Sequence, residues 1–335
     1  MTKHANLADL PIGTSSATDA AAIREATPAI LRRHAALLLA SFATVSVGGW
    51  LIGRADPASA GAGVGSVRTI EPEEGRELFR EAAAAVLPRD GFSSRIALQD
   101  SILRLVAEGV IEPRRFAAAY QDSGGIPVEL NFRLRWPSLL PIRLTAENAS
   151  HYVNLLWPVG LANAIAGNST SPVNGPSLLT FASTAGWTLG REENGGAYFN
   201  RFRIVELTPE QEEMAIGVAQ NTFRPCCNNS TFFQDCNHGS ALFGLLQLGA
   251  SQGLAEQDLY AEALAFNSFW FPQTYMQTAI YFKLFEGKEW ADLDPKFLMG
   301  ARYSALGPWQ AAVGSKLAEI PGLLPALRDG VSCGA

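Results

Sequence analysis

A compact group of cysteine and histidine residues is the part of this sequence most able to do chemistry. Cys226, Cys227 and Cys236 lie within eleven residues, and His238 follows two residues after the last of them. Thiolate sulfur and imidazole nitrogen bind soft and borderline cations, and three sulfurs with one nitrogen make a complete tetrahedral set. The group therefore predicts a site for a transition metal, which could be copper, zinc or iron, with a redox or metal-handling role.

The spacing of these cysteines leaves two other interpretations open. The pattern Cys-Cys-x8-Cys-x-His lacks the Cys-x2-Cys spacing that lets two thiolates reach one zinc ion with little strain. In an oxidising compartment four cysteines would ordinarily form disulfides, with Cys226 or Cys227 joined to Cys236 and the other joined to Cys333. On that interpretation the protein is a structural or interaction subunit of the cell envelope without catalysis.

The remaining interpretation is a thiol enzyme that acts through Cys236. Cys236 and His238 directly precede a helix that the sequence predicts to begin at Gly239. The unpaired N–H groups and the positive dipole end of a helix lower a thiol pKa, and Arg224 adds positive charge nearby. Cys236 is then the candidate nucleophile and His238 the candidate base. The chain has no Cys-x-x-Cys-His haem motif and no glycine-rich nucleotide loop, so the sequence leaves open whether it is an enzyme.

The first 60 residues have the order of an export signal. Paired arginines, Arg32 and Arg33, precede the uncharged stretch 35–53, and the small residues 58–60 follow it. This order resembles a twin-arginine export signal. The resemblance implies a periplasmic or otherwise extracytoplasmic protein of bacterial type. If the leader is not cleaved, residues 35–53 are long enough to anchor the protein in the inner membrane.

Composition and charge limit the classes of partner. Of the 335 residues, 47% are hydrophobic and 17% are charged, so the chain can bury a large core. Its 26 Lys and Arg residues against 32 Asp and Glu residues give a formal net charge of −6. Nucleic-acid binding needs clustered basic residues, and the sequence contains no such cluster. We therefore expect no nucleic-acid partner, whereas a protein partner in the cell envelope stays open.

The elements that must position the cysteines are mostly helices. Hydrophobic spacing predicts a mostly α, multi-helix globular domain with minor β, the latter being a strand or arm near 126–136 and a hairpin near 187–205. The predicted domains are an export signal or N-terminal membrane anchor, a linker, an N-terminal helical subunit, a main helical domain with the Cys/His cluster, and a flexible tail. Their respective ranges are 1–60, 61–68, 69–122, 123–320 and 321–335.

Local signals predict where individual helices begin. Thr208, Pro209 and Gln211 together make a capping box with proline at the first helical position. Ser94 has the residue type of an N-cap and precedes apolar residues at helical spacing. Pro225 ends the helix that follows Thr208, so the cysteines are expected in a loop between two helices.

Overall fold

Fourteen α-helices, together with short 3₁₀ and π turns, make up most of residues 69–181 and 189–323, the part of the chain that the computed structural model describes. This architecture confirms the predicted mostly α, multi-helix fold with minor β. The helices are α1 (Pro72–Val86), α2 (Ser101–Ala107), α3 (Pro113–Ala118), α4 (Val128–Arg133), α5 (Ala149–Ala162), α6 (Leu178–Phe181), α7 (Pro209–Asn221), α8 (Asn237–Ser251), α9 (Glu256–Trp270), α10 (Pro272–Tyr281), α11 (Pro295–Met299), α12 (Ala301–Ser304), α13 (Leu306–Trp309) and α14 (Ser315–Ala318).

Several predictions from the sequence fall outside the described residues. These are the export signal or anchor at 1–60, the linker at 61–68, and Cys333 with the tail from residue 324 onward. Residues 182–188, at the start of the predicted hairpin, are also outside. None of the helices in the described ranges is both long enough and apolar enough to cross a bilayer.

The β structure is present but lies elsewhere than predicted. Strands β1 (Phe92–Ser93) and β2 (Arg143–Leu144) form one short antiparallel pair, in which Phe92 faces Leu144 and Ser93 faces Arg143. Each strand has only two residues, so the pair fixes two loops together without forming a layer of the core.

The prediction of a strand or arm near 126–136 is wrong, because this segment contains helix α4. Apolar residues at every second position also include pairs four residues apart, which share one face of a helix. Leu130 and Leu134 form such a pair and are buried, whereas Val128, Phe132 and Trp136 are exposed on the other side. The alternating apolar residues therefore lie on two opposite faces of a short helical segment, one buried and one exposed.

The prediction of a hairpin near 187–205 is also wrong for the described residues 189–205. This stretch contains a 3₁₀ turn at Gly195–Tyr198, and Phe202 makes a single parallel bridge to Asn163. The Tyr198 hydroxyl accepts a hydrogen bond from the Glu192 backbone N–H at 2.6 Å and donates one to the Gly109 carbonyl at 3.0 Å. In this stretch, hydrogen bonds to the buried Tyr198 side chain take the place of the strand pairing expected in a hairpin.

Of the two helix starts predicted from the sequence, the one at Thr208 is confirmed and the one at Ser94 is wrong. Thr208 caps α7 with the complete capping box, since its hydroxyl accepts from the Gln211 backbone and the Gln211 side chain accepts from the Thr208 backbone. Ser94 does not begin a helix, and α2 starts seven residues later at Ser101. The Ser94 hydroxyl instead donates to the buried Glu262 carboxylate at 2.7 Å. The Ser94 oxygen also accepts from the Ile96 backbone N–H at 2.9 Å, so it closes a local turn and does not cap a helix.

Helix α8 runs through the middle of the core and carries one end of the cysteine site. It packs against α5, α7 and α9, and nearly all of its residues are buried. Its backbone touches that of α5 where Gly160 faces Gly244, because a Cβ at either position would overlap main-chain atoms of the other helix. Helices that approach this closely need glycine at the crossing point. The crossing fixes the axis of α8 and therefore the position of its first residues.

Replacing Gly160 with alanine is expected to lower the free energy of unfolding by about 1–3 kcal/mol, because the new methyl group must push α5 away from the Ser240 carbonyl. The matched control is Gly217→Ala in α7, where a Cβ meets nothing within 4 Å. That change is expected to be neutral or to stabilise by up to about 1 kcal/mol through helix propensity. Urea denaturation of both variants measures the difference, and equal stabilities would contradict the close crossing.

Candidate metal centre

The loop between α7 and α8 is folded back on itself and presents two cysteines at its tip. Phe223 and Ser230 form an isolated antiparallel bridge, and the Thr231 backbone N–H donates to the Thr222 carbonyl at 2.9 Å. The Cys227 backbone N–H donates to the Arg224 carbonyl at 3.1 Å, which closes a tight turn. This turn places Cys226 and Cys227 on the same side as the start of α8.

Three cysteine sulfurs converge at this point. The Sγ atoms of Cys226 and Cys227 lie 3.6 Å apart, those of Cys227 and Cys236 lie 3.5 Å apart, and those of Cys226 and Cys236 lie 3.7 Å apart. We call this nearly equilateral arrangement the sulfur triangle. No two of the three cysteines are joined in a disulfide. Among the described residues, these sulfurs form the group of ligand atoms spaced closely enough to hold one metal ion.

Cys236 is the N-cap of α8 and carries the most stabilised thiolate. Its sulfur accepts hydrogen bonds from the Gly239 backbone N–H and from Arg224 Nε, both at 3.4 Å. Hydrogen bonds from Cys226 and Cys227, together with the charge of Arg224, lower the pKa of Cys236 well below its usual value despite its burial. The helix start and a fixed cation therefore favour a sulfur anion at this corner of the sulfur triangle.

The other two thiols have the opposite tendency. Hydrogen bonds with Cys227 and Cys236, followed by burial, raise the pKa of the Cys226 thiol. Contact with Cys226 lowers the pKa of Cys227, but the hydrogen bond to Cys236 and burial outweigh it and raise that pKa to about 12. In the metal-free site, the thiolate is therefore favoured at Cys236, where the thiols of Cys226 and Cys227 hydrogen-bond to it.

The loop between α7 and α8, residues 222–236, is called the cysteine loop below. Arg224 is completely buried at its centre. Its guanidinium donates to the carbonyls of Asn229 and Ser230 at 2.8 Å and of Phe233 at 3.1 Å, and it makes an ion pair with Asp235. Burial tends to lower the pKa of Arg224, but the negative charges of Cys236 and Asp235 beside it raise that pKa overall. One side chain therefore both shapes the loop and holds a positive charge against the thiolate.

Glycine at position 239 makes room for this guanidinium. A Cβ there would lie 2.8 Å from Arg224 Nε, which is closer than side-chain contacts allow. The guanidinium has no freedom to move aside, because the loop carbonyls and Asp235 occupy its other donors. The glycine at position 239 thus reflects packing around Arg224.

His238 lies apart from the three sulfurs that it was predicted to join. Its ring packs against Phe271 with centroids 4.7 Å apart and against Trp270 with centroids 5.8 Å apart. It is not among the ligand atoms that lie within 4.8 Å of one another. Burial lowers the pKa of His238, so its imidazole is neutral at pH 7. The structure therefore brings together three of the four predicted ligands.

Hydrogen bonds from distant helices fix the cysteine loop in place. The Leu306 backbone N–H donates to the Cys227 carbonyl at 2.9 Å, at the start of α13. The amide of Asn267 donates to the Phe223 carbonyl at 2.9 Å and to the Tyr275 hydroxyl at 3.1 Å. The sequence does not predict these as site residues. The signal available in the sequence was that Asn267 and Tyr275 are polar residues within the aromatic stretch 266–285. Buried polar groups require hydrogen-bond partners.

The comparisons with known proteins yield no relative. No family model, no curated protein sequence and no solved structure matches this chain. What the protein does must therefore be inferred from its own residues.

Proposed function

We propose that this protein binds one transition metal ion through Cys226, Cys227 and Cys236. The observation that carries the proposal is the sulfur triangle, with edges of 3.5 to 3.7 Å. Zinc–sulfur bonds of about 2.3 Å in a tetrahedral site place two sulfurs about 3.8 Å apart. The edges are close to that value and far from the roughly 2.05 Å of a disulfide bond.

The spacing favours a single ion over an iron–sulfur cluster. In a [4Fe–4S] cluster the cysteines bind different irons, so their sulfurs stand farther apart than sulfurs that share one ion. Every pair in the sulfur triangle is within 3.7 Å, so all three sulfurs can reach the same ion. Copper, zinc and single iron ions all accept thiolate ligands. A redox or metal-handling role outside the cytoplasm, for a chain exported or anchored by residues 1–60, is part of the same proposal.

Elemental analysis together with a thiol count tests the proposal. Protein purified under argon is analysed for copper, zinc and iron, and its thiols are counted in denaturant before and after reduction. We expect about one equivalent of one metal and four thiols without reduction, the fourth thiol being Cys333. Two disulfides and no metal, with no uptake after reduction, would favour the envelope-subunit interpretation instead.

A second candidate function is thiol chemistry at Cys236, because its thiolate lies within 3.7 Å of two further sulfurs. Attack by Cys236 on a substrate disulfide would release one substrate thiolate and form a mixed disulfide. Cys226 or Cys227 would then displace the second substrate thiolate and leave an internal disulfide. Rapid alkylation of Cys236 by iodoacetamide at pH 6 in the metal-loaded protein would favour this function, whereas protection by metal favours the first.

Metal affinity is expected to increase with pH, because protons and metal compete for the same sulfurs. The lowered pKa of Cys236 favours its thiolate, whereas the raised pKa values of Cys226 and Cys227 keep both thiols protonated near neutral pH. Binding a divalent ion to three thiolates then releases about two protons, so the logarithm of the apparent affinity increases by about two per pH unit.

Competition with a chromophoric chelator between pH 6.5 and 8.5, corrected for the chelator's own protonation, measures this slope. Calorimetry in two buffers of different ionisation enthalpy gives the proton count independently. A slope near three would mean that Cys236 is also protonated in the metal-free protein. A slope near zero would mean that the metal binds elsewhere.

A further inference from the structure

We infer that the bound ion is divalent and keeps a fourth coordination position open to a neutral ligand from outside the chain, such as an imidazole donor. This inference rests on the proposed function and concerns the same three sulfurs. It adds a site for an exchangeable ligand beside the ion, which a closed structural metal site does not have.

The size of the sulfur triangle indicates where the ion lies. An ion in the plane of three sulfurs, with bonds of about 2.3 Å, would hold them about 4.0 Å apart. The observed edges of 3.5 to 3.7 Å are shorter. If the edges kept these lengths, an ion held by Cys226, Cys227 and Cys236 with that bond length would stand about 1 Å above the plane of the sulfurs. Such a pyramid has an open apex, which is the fourth vertex of a tetrahedron.

Among the histidine, cysteine and carboxylate side chains of the described residues, none other than the three cysteines lies close enough to join them at that apex. The imidazole of His238 packs against the rings of Phe271 and Trp270 and lies outside the ligand group. The carboxylate of Asp235 is held by the Arg224 guanidinium and by the Asn229 amide, the latter at 2.5 Å. Within the described residues, the group suited to a metal thus comprises three donors and no fourth.

Charge favours a divalent ion over a monovalent one. Three thiolates with a divalent ion carry a net charge of −1, whereas with Cu(I) they carry −2. The adjacent ion pair of Arg224 and Asp235 is neutral overall, so the main positive contribution left is the start of α8. A helix N-terminus supplies about half an elementary charge, which compensates the smaller deficit far better than the larger one.

The outside ligand approaches along the side of Cys226 and Cys227. Both are half-buried, whereas Cys236 is only 7% exposed and Arg224 is not exposed at all. The next residue after Cys236 also has an unmet polar group, since the buried Asn237 Oδ1 lacks a hydrogen-bond partner among the described residues. A bound ligand or water with a donor group could satisfy it.

Cobalt substitution tests the inference with a visible readout. The full chain, reduced and metal-free under argon, is titrated with Co²⁺ and followed by absorption between 300 and 800 nm. Thiolate-to-cobalt charge transfer reports the sulfurs, and the d–d bands report coordination number. We then add imidazole and expect a saturable change in the d–d bands with the charge-transfer band retained. His238→Phe, which keeps a ring against Phe271 but removes the nitrogens, is expected to give the wild-type spectrum.

The outcomes separate the two proposals. If neither a thiolate-to-cobalt band nor binding of Cu(I) is observed, or if Cys236→Ser leaves the cobalt band unchanged, the proposed function itself fails. If the band appears but the d–d spectrum is tetrahedral and unaffected by added ligand, the proposed function stands and the open position is overturned. A changed d–d spectrum in His238→Phe would likewise overturn it, because the imidazole would then be the fourth ligand. Binding of Cu(I) with no uptake of Co²⁺ or Zn²⁺ would overturn the divalent assignment.

Discussion

Replacing Arg224 with methionine is expected to lower the free energy of unfolding by about 3–5 kcal/mol and to abolish metal binding. The reason is that breaking a buried ion pair from one side leaves the partner charge without compensation. In this loop Asp235 would lose its cation, and the carbonyls of Asn229, Ser230 and Phe233 would lose their donor. Methionine fills much of the volume, so the loss is mainly one of charge and hydrogen bonds.

Urea denaturation of the metal-free proteins measures the effect. The matched control is Arg104→Met, which breaks an exposed network with Asp100 and Glu206 and is expected to cost less than about 1 kcal/mol. Asp235→Asn provides a second comparison, because it keeps the Arg224 contacts to the carbonyls. A loss for Arg224→Met no greater than that for Arg104→Met would contradict the organising role of the buried guanidinium.

Replacing Cys236 with serine is expected to weaken metal binding by about 100-fold or more while leaving the metal-free protein nearly as stable. Structural zinc sites with four ligands bind with about 10–16 kcal/mol, so each ligand contributes about 3 kcal/mol. Cys236 also caps α8 through the Gly239 N–H. Serine is one of the best N-cap residues and can accept the same hydrogen bond, so the helix start survives the change.

Competition with a chelator of known affinity gives the metal dissociation constants, and urea denaturation gives the stabilities. Cys226→Ser and Cys227→Ser are expected to weaken binding to a similar extent, whereas Cys333→Ser is the matched control and should leave the affinity unchanged. The envelope-subunit interpretation requires the opposite pattern. If the cysteines form disulfides, Cys236→Ser costs about 2–5 kcal/mol of stability, and Cys333→Ser is equally harmful.

The sequence predicts those parts of the fold that depend on neighbouring residues. The capping box at Thr208 and the helix after the cysteines are such cases, because every group involved lies within a few residues. The strand near 126–136 was predicted wrongly, since apolar residues two apart are compatible with both strand and helix. Only the burial of Leu130 and Leu134 against the rest of the core distinguishes the two. Tertiary packing thus decided what local spacing left ambiguous.

The candidate site was predictable in composition but not in geometry. Three cysteines within eleven residues had to be near one another, and the structure places their sulfurs in contact. His238 follows Cys236 by two residues at the start of a helix, where successive side chains point in different directions. Its ring is instead held by Phe271, which is distant in sequence. A partner so distant in sequence cannot be read from spacing.

The hydrogen bonds that hold the tip of the cysteine loop come from far along the chain. Leu306 donates to the Cys227 carbonyl, Gly307 donates to the Asn228 side chain, and Asn267 holds Phe223. An excised peptide covering residues 222–240 would contain all three thiols but none of these external contacts. Metal binding to this peptide would have to order the whole loop, and the loss of chain entropy would lower the affinity of the peptide for the metal. Hydrogen exchange at the Leu306 amide should therefore slow when metal is added, although this residue is no ligand.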